Sequence, residues 1–222
     1  MKRNNSALKF WLGYFLTLFG LLVFLLVRPV KADEHDSTPG MQPIEHGGHH
    51  QHADVAEEAG VRRSVVQYDI PNVNLIAMDG DSGPLPKALD AQSPTILNFV
   101  FTTCTAICPI LTATFAQFQH ELGAERRNVN MVSISIDPEH DTPAKLHAYA
   151  KKYQADTQWR FYTGELNDMI RVQKAFDVYR GNKMNHIPVT FLRQSSDAPW
   201  VRLDGFASAQ DLMREYRQLL VQ

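Results

Sequence analysis

From residue 62 onward, apolar positions recur with two periods, one of two residues and one of three to four, and the periods alternate along the chain. Residues 64–70 read as an extended segment broken by Pro71, and residues 73–78 follow as an edge hairpin or entry strand. Residues 95–101 (TILNFVF) are a short apolar, β-rich run of the buried-strand kind. After a short loop, Pro109 suits the first helical position, and Leu111, Phe115, Phe118 and Leu122 recur on one face until Gly123 stops the helix. Residues 129–136 (VNMVSISI) predict the next strand, and Thr142-Pro143 opens a helix that runs to about Tyr153. Residues 160–163 predict a third short strand, and residues 166–179 contain a helix with Ile170 and Phe176 inward. Residues 189–192 and 201–203 are the last strands, and residues 209–220 close the chain as a helix. A βαβα unit followed by strands and a terminal helix predicts an α/β fold, a central sheet flanked by helices.

The first 60 residues follow neither period. Lys2, Arg3 and Lys9 precede an uncharged apolar run, residues 10–27 (FWLGYFLTLFGLLVFLLV), about long enough to span a bilayer as a helix. The positive-inside bias leaves the rest of the chain outside the cytoplasm. That predicts a place on the extracytoplasmic face of a membrane, a bacterial periplasm with the chain anchored to the inner membrane. Val30-Lys31-Ala32 offers a cleavage signal before Asp33, so a cleaved signal peptide stands beside an uncleaved anchor. The length of the run, beyond the roughly 7 to 15 residues of a signal core, favours the anchor. No cysteine lies near this segment, which excludes a lipoprotein anchor.

Residues 33–60 are rich in Gly, His and acids with almost nothing to bury, and read as a flexible linker. His35, His46, His49, His50 and His52 are five of the nine histidines. They make this segment either a solvated spacer with adventitious metal affinity or a metal-collecting arm. The domain plan is therefore 1–32, anchor or signal; 33–60, linker; and 61–222, folded domain.

Composition narrows the function classes. With 44% hydrophobic and 21% charged residues in 222, collagen, disorder throughout and a disulfide-dense miniprotein are excluded. Lys and Arg total 22 against 24 Asp and Glu, so there is no basic surplus to neutralise a nucleic acid backbone. No Ser-His-Asp constellation, phosphate-binding glycine loop or nicotinamide fingerprint appears.

The chemistry gathers in three segments. Cys104 and Cys108 are the only cysteines, and a bridge between them would close too small a loop to constrain the unfolded chain. Cys104 falls after the carboxyl end of a strand and Cys108 beside Pro109 at a helix start, whose partial positive charge favours a thiolate. This order of elements, with a cysteine pair between the first central strand and its helix, is that of a thioredoxin-like domain; fold alone decides no function. A CxxC pair reads directly as redox chemistry, whereas CxxxC separates the sulfurs in a way suited to clasping an ion. The second segment is Asn185-His186-Ile187-Pro188, which precedes a strand and resembles the cis-proline loop that faces the cysteines in thioredoxin-like folds. A cis Pro188 would point His186 toward the same pocket. In the third, Ser135 to Pro143, Asp137 lies at a strand's carboxyl end, placed to support a ligand or thiol from behind. Asp141 and Thr142 suit a turn and an N-cap, and Glu139 and His140 suit solvent. Two thiolates and an imidazole suit Cu(I), with Cu(II) and zinc also admissible, and exclude Mg and Ca. The same two sulfurs also suit disulfide exchange.

The run Phe99-Val100-Phe101-Thr102-Thr103-Cys104-Thr105-Ala106-Ile107-Cys108-Pro109, the SIDPEHDTP segment, residues 149–164 and His186 before a strand resemble the Sco (SenC-type) family over about residues 69–220. The resemblance implies a membrane-anchored, thioredoxin-like copper protein that helps assemble the dinuclear copper centre of cytochrome c oxidase. It implies Cys104, Cys108 and His186 as copper ligands, with that oxidase's copper-binding subunit or another copper client as partner. Two positions depart from the family pattern: His140 stands where arginine is common, and Ile187-Pro188 follows His186 where the family usually has no proline. The proline is a feature of thiol-disulfide oxidoreductases of this fold. It keeps open an alternative in which Cys104 and Cys108 are a redox-active pair acting on the cysteines of copper proteins.

Overall fold

Strands Arg62–Val66 (β1), Asn74–Ala77 (β2), Ser82–Pro84 (β3), Thr95–Val100 (β4), Asn130–Ser135 (β5), Trp159–Gly164 (β6), Val189–Arg193 (β7) and Trp200–Asp204 (β8) hydrogen-bond into one sheet of order β1-β8-β7-β4-β5-β6-β2-β3. The computed structural model describes residues 60–90 and 92–221. The apolar run 10–27, the Val30-Lys31-Ala32 signal and the histidines of the linker lie outside the described residues. Among the described residues, no helix is long and apolar enough to cross a membrane.

β4, β5 and β6 are parallel, and β7, β8 and β1 continue the sheet antiparallel on one side as β2 and β3 do on the other. β4 is buried at every residue, as a central strand covered on both faces must be. The strand register divides the large side chains between those faces. On one, Phe115 of helix Ile107–Leu122 (α2) and Tyr149 of helix Pro143–Lys152 (α3) pack on Trp159 and Phe161. Phe118 meets Tyr216 of helix Ala209–Leu219 (α5) edge-on. On the other, Phe99, Phe191, Trp200 and Tyr68 surround Phe176, which follows helix Leu166–Ala175 (α4). Such tilted and edge-to-face pairs each add about 0.5–1.5 kcal/mol beyond the area they bury.

The α/β class and the central sheet flanked by helices match the expectation, with four informative differences. Residues 64–70 give a strand that starts earlier and stops at Val66, and β1 is the edge strand at one end of the sheet while β2 lies beside the last strand at the other. As expected, β2 forms an edge hairpin, with β3 across Gly80, whose φ of 91° is the left-handed conformation glycine tolerates. Helix Leu85–Leu89 (α1) has too few residues to show a period. α2 begins at Ile107, so Pro109 is its third residue, where a missing N–H still costs no helical bond. In α4, Met169 and Val172 are the buried pair and Ile170 is only half-buried, because the face that continues to Phe176 runs through 169, 172 and 176.

Candidate metal centre

β4 leaves the sheet at Val100, and the chain loops out and returns as α2. The Cys104 N–H donates to the Phe101 carbonyl at 3.1 Å, which turns the loop back toward the strand end. The helix has no side-chain cap at Ala106. The Cys104 sulfur takes that place, accepting the Cys108 N–H at 3.3 Å. Both cysteines are free; Cys104 is half-exposed and Cys108 is buried. Burial raises the Cys104 thiol, but the N–H of Cys108, that of Ala106, the Cys108 side chain and the N–H of Ile107 outweigh it and hold the thiol below its ordinary value. Burial drives the Cys108 thiol far up; the Phe101 backbone opposes this, while Cys104 and Asp141 add to it. The two sulfurs are thus unequal. Cys104 is the more accessible and more easily ionised of the two, and burial disfavours the Cys108 thiolate.

Asp141, expected to be a turn residue, has a larger role. Its side chain is fully buried and accepts from the Thr102 N–H at 3.2 and 3.1 Å, from the Thr102 hydroxyl at 2.5 Å and from the Ser135 hydroxyl at 2.6 Å. This carboxylate clamps the base of the cysteine loop to the end of β5, while Thr142 caps α3 through the Lys145 N–H as expected. The available signal was the pairing of Thr102 with the acid of an Asp-Thr-Pro helix start, two polar elements that neither periodicity required. Further along, Thr112 donates to the Cys108 carbonyl at 2.7 Å and contacts the Tyr149 hydroxyl at 2.9 Å, fixing the first turn of α2 to α3.

His186 follows a 3-10 turn, Lys183–Asn185, and is 6% exposed. Neither ring nitrogen has a hydrogen-bond partner. Burial lowers its pKa to about 4; the Phe99 backbone opposes this from outside hydrogen-bond geometry. The ring meets Phe101 edge-on, centroids 6.5 Å apart. The expectation of a cis Pro188 is corrected: no cis peptide occurs among the described residues. Pro188 offers its carbonyl to the Gly205 N–H at 2.9 Å, a bond that continues the β7–β8 ladder, so the register of that hairpin sets the approach to β7. Asp137 is buried, its N–H donates to the Ser135 hydroxyl at 3.0 Å, and its carboxylate is paired with the Lys183 ammonium.

Cys104, Cys108, His186, Asp137 and Pro188 thus come to one end of the sheet, the carboxyl ends of β4 and β5 and the start of β7. The two sulfurs touch the same helix start. His186 instead lines a cleft of about 280 Å³ shared with residues 136–139 and α4, which neither cysteine lines. Among the described residues, no group of three or more His, Cys, Asp or Glu side chains is close enough to hold a metal ion. The donor chemistry nonetheless fits a soft or borderline ion: two adjacent sulfurs, and a neutral imidazole whose nitrogens are both bare.

The model of the SCO1/SenC family matches residues 83–220. The chain belongs to the SCO1/SenC family. The "SCO1 protein homolog" of Bacillus subtilis (strain 168) is 40% identical over 70 residues, which are 31% of this chain and 36% of that relative. The match therefore spans little more than a third of the relative's length. Among solved structures, a SCO1/SenC family lipoprotein from Bacillus anthracis str. Ames is 25% identical with a TM-score of 0.61, over 70% of this chain and 97% of that one. Arabidopsis thaliana ScoI with copper bound is 26% identical with a TM-score of 0.57, over 67% and 96%. These neighbours share the central mixed sheet flanked by helices, the thioredoxin-like architecture of Sco proteins.

Proposed function

We propose that this chain is a membrane-tethered, extracytoplasmic copper chaperone that delivers copper to the dinuclear copper centre of cytochrome c oxidase, or prepares that centre's cysteines. Cys104, Cys108 and His186 are its copper ligands. The observation that carries the reading is His186, a buried imidazole kept neutral, with both nitrogens bare, beside the ring from which the cysteine loop hangs. A buried polar group without a partner costs free energy that a ligand recovers, and disulfide exchange has no use for it. Membership of the SCO1/SenC family and a relative with copper bound support the choice of metal. The apolar run 10–27 behind a basic start supports the tether.

In this reading Cys104 meets the ion first, since its sulfur is half-exposed and favours the thiolate. Cys108 follows by losing its proton to solvent or to the outgoing ligand, and His186 contributes a neutral nitrogen without a proton step. A site of three soft donors leaves room for a client thiolate to enter before a sulfur leaves, which transfer requires.

The unequal thiols also favour a second reading, an oxidoreductase. The Cys104 thiolate attacks a client disulfide and releases one client thiolate. Cys108, on losing its proton, then attacks the Cys104 sulfur and releases the other, so the pair is oxidised and the client reduced. The two readings separate in one experiment on the full chain, Cu(I) affinity and reduction of a test disulfide measured side by side. Cys104→Ser or Cys108→Ser lowers copper affinity by more than about 100-fold, beyond the loss typical of residues that only support a ligand. His186→Ala weakens copper strongly and leaves disulfide reduction near wild type. If His186→Ala keeps wild-type copper affinity while the thiols reduce a client rapidly, the oxidoreductase reading replaces the chaperone.

A further inference from the structure

The turn that carries His186 is tied to the cysteine side of the domain by Lys183. Its ammonium is paired with the Asp137 carboxylate and lies 5.8 Å from the centroid of the Phe101 ring. Phe101 is also the ring that His186 meets edge-on, and its carbonyl takes the Cys104 N–H. The anchor is firm at the other end, for the Asp137 side chain is 8% exposed and its backbone carbonyl accepts the N–H groups of His140 and Asp141. Within the turn, the His186 N–H donates to the Lys183 carbonyl at 3.1 Å and Asn182 accepts the Met184 N–H at 2.9 Å. Lys183 and His186 therefore move together. No hydrogen bond to either nitrogen holds the imidazole.

We propose that Lys183 is the positioning residue for His186: its ion pair with Asp137 across the face of Phe101 sets where the imidazole stands relative to the cysteine loop. A half-exposed lysine pair adds little to global stability. Its effect falls on the freedom of the turn, because restricting a ligand before binding lowers the entropy lost on binding. The metal arm of this inference rests on His186 as a copper ligand; the placement of the ring does not.

The test uses the full chain, reduced and metal-free. Carbethoxylation of His186 by diethylpyrocarbonate, located by peptide mass spectrometry, becomes about tenfold faster or more in Lys183→Met, the scale on which supporting residues act. It stays near wild type in Lys183→Arg, which keeps the charge and the reach to Asp137. Asp137→Asn, which removes the partner instead, gives the same acceleration. Copper affinity falls about tenfold in Lys183→Met and falls no further when that change is added to His186→Ala. Unchanged modification of His186 in Lys183→Met or in Asp137→Asn overturns the proposal, as does failure of Lys183→Arg to protect the ring. Faster modification together with unchanged copper affinity in both Lys183→Met and His186→Ala upholds the positioning role and rejects His186 as a ligand.

Discussion

The cysteine loop and the histidine turn meet at the same end of the sheet and are held in opposite ways. The loop is fastened from below by a fully buried carboxylate, Asp141, with four hydrogen-bond contacts to Thr102 and Ser135, and its own sulfur caps the helix that follows. The turn is held by one ion pair with a partly exposed lysine and by an edge contact between two rings. Buried, satisfied networks rigidify a structure and add to its stability, whereas a half-exposed pair adds little to stability and acts locally, on the turn that carries it. The sulfur half of the candidate site is thus fastened by a buried hydrogen-bond network, and the placement of the imidazole half depends on a single lysine pair.

Destroying the fixed half has the largest effect. Asp141→Ala leaves the Thr102 N–H and the buried Ser135 hydroxyl without their acceptor, and is expected to cost about 2–3 kcal/mol of stability, read as a lowered urea midpoint. An Asp141→Ala chain as stable as wild type would make the two halves equivalent and remove the comparison.

Acid probes the imidazole half. The unfolded chain protonates His186 near its ordinary value and the folded domain only near pH 4, so in that window the unfolded state binds more protons and stability falls as pH falls. The contribution is complete above about pH 6.5 and is lost progressively toward pH 4, amounting to about 2–3 kcal/mol. Metal-free wild type therefore loses stability across this window by that much more than His186→Ala does. Parallel curves for the two chains would show the imidazole to be solvated.

The smallest effect sharpens the boundary of the site. The chain enters the fold at Gly60–Val61 beside Gly205, where a Cβ would stand 3.6 Å from the Val61 Cα, and Gly205 in turn bonds the Pro188 carbonyl. The five histidines of residues 33–60 precede this point in the sequence, and the proposed ligands do not include them. Their deletion leaves the tight copper affinity unchanged and removes weaker additional binding, measured by titration past one equivalent. Loss of the tight binding with this segment would refute the assignment to Cys104, Cys108 and His186.

Much of this was legible in the residues alone. The strands 95–101 and 129–136, the cysteine pair between a strand and a helix, and the capped start at Thr142-Pro143 each follow from local periodicity and local capping, which neighbours along the chain determine. Membership of the SCO1/SenC family was legible too, because CxxxCP, SxDPExDTP and a later histidine are spaced in sequence. What no local pattern encodes is pairing between distant segments. The partners of β2, the burial of Asp141 under Thr102 and the grip of Lys183 on Asp137 depend on residues 39 to 89 positions apart coming together. The bond from Gly205 to the Pro188 carbonyl belongs there as well, since it joins segments across the β7–β8 hairpin. Local patterns in the residues were enough to mark the candidate Cys and His positions and the strand ends near which they lie. Only the folded chain brings the cysteine loop under Asp141 and the His186 turn onto Phe101 and Asp137, because these contacts cross the sheet between segments far apart in sequence.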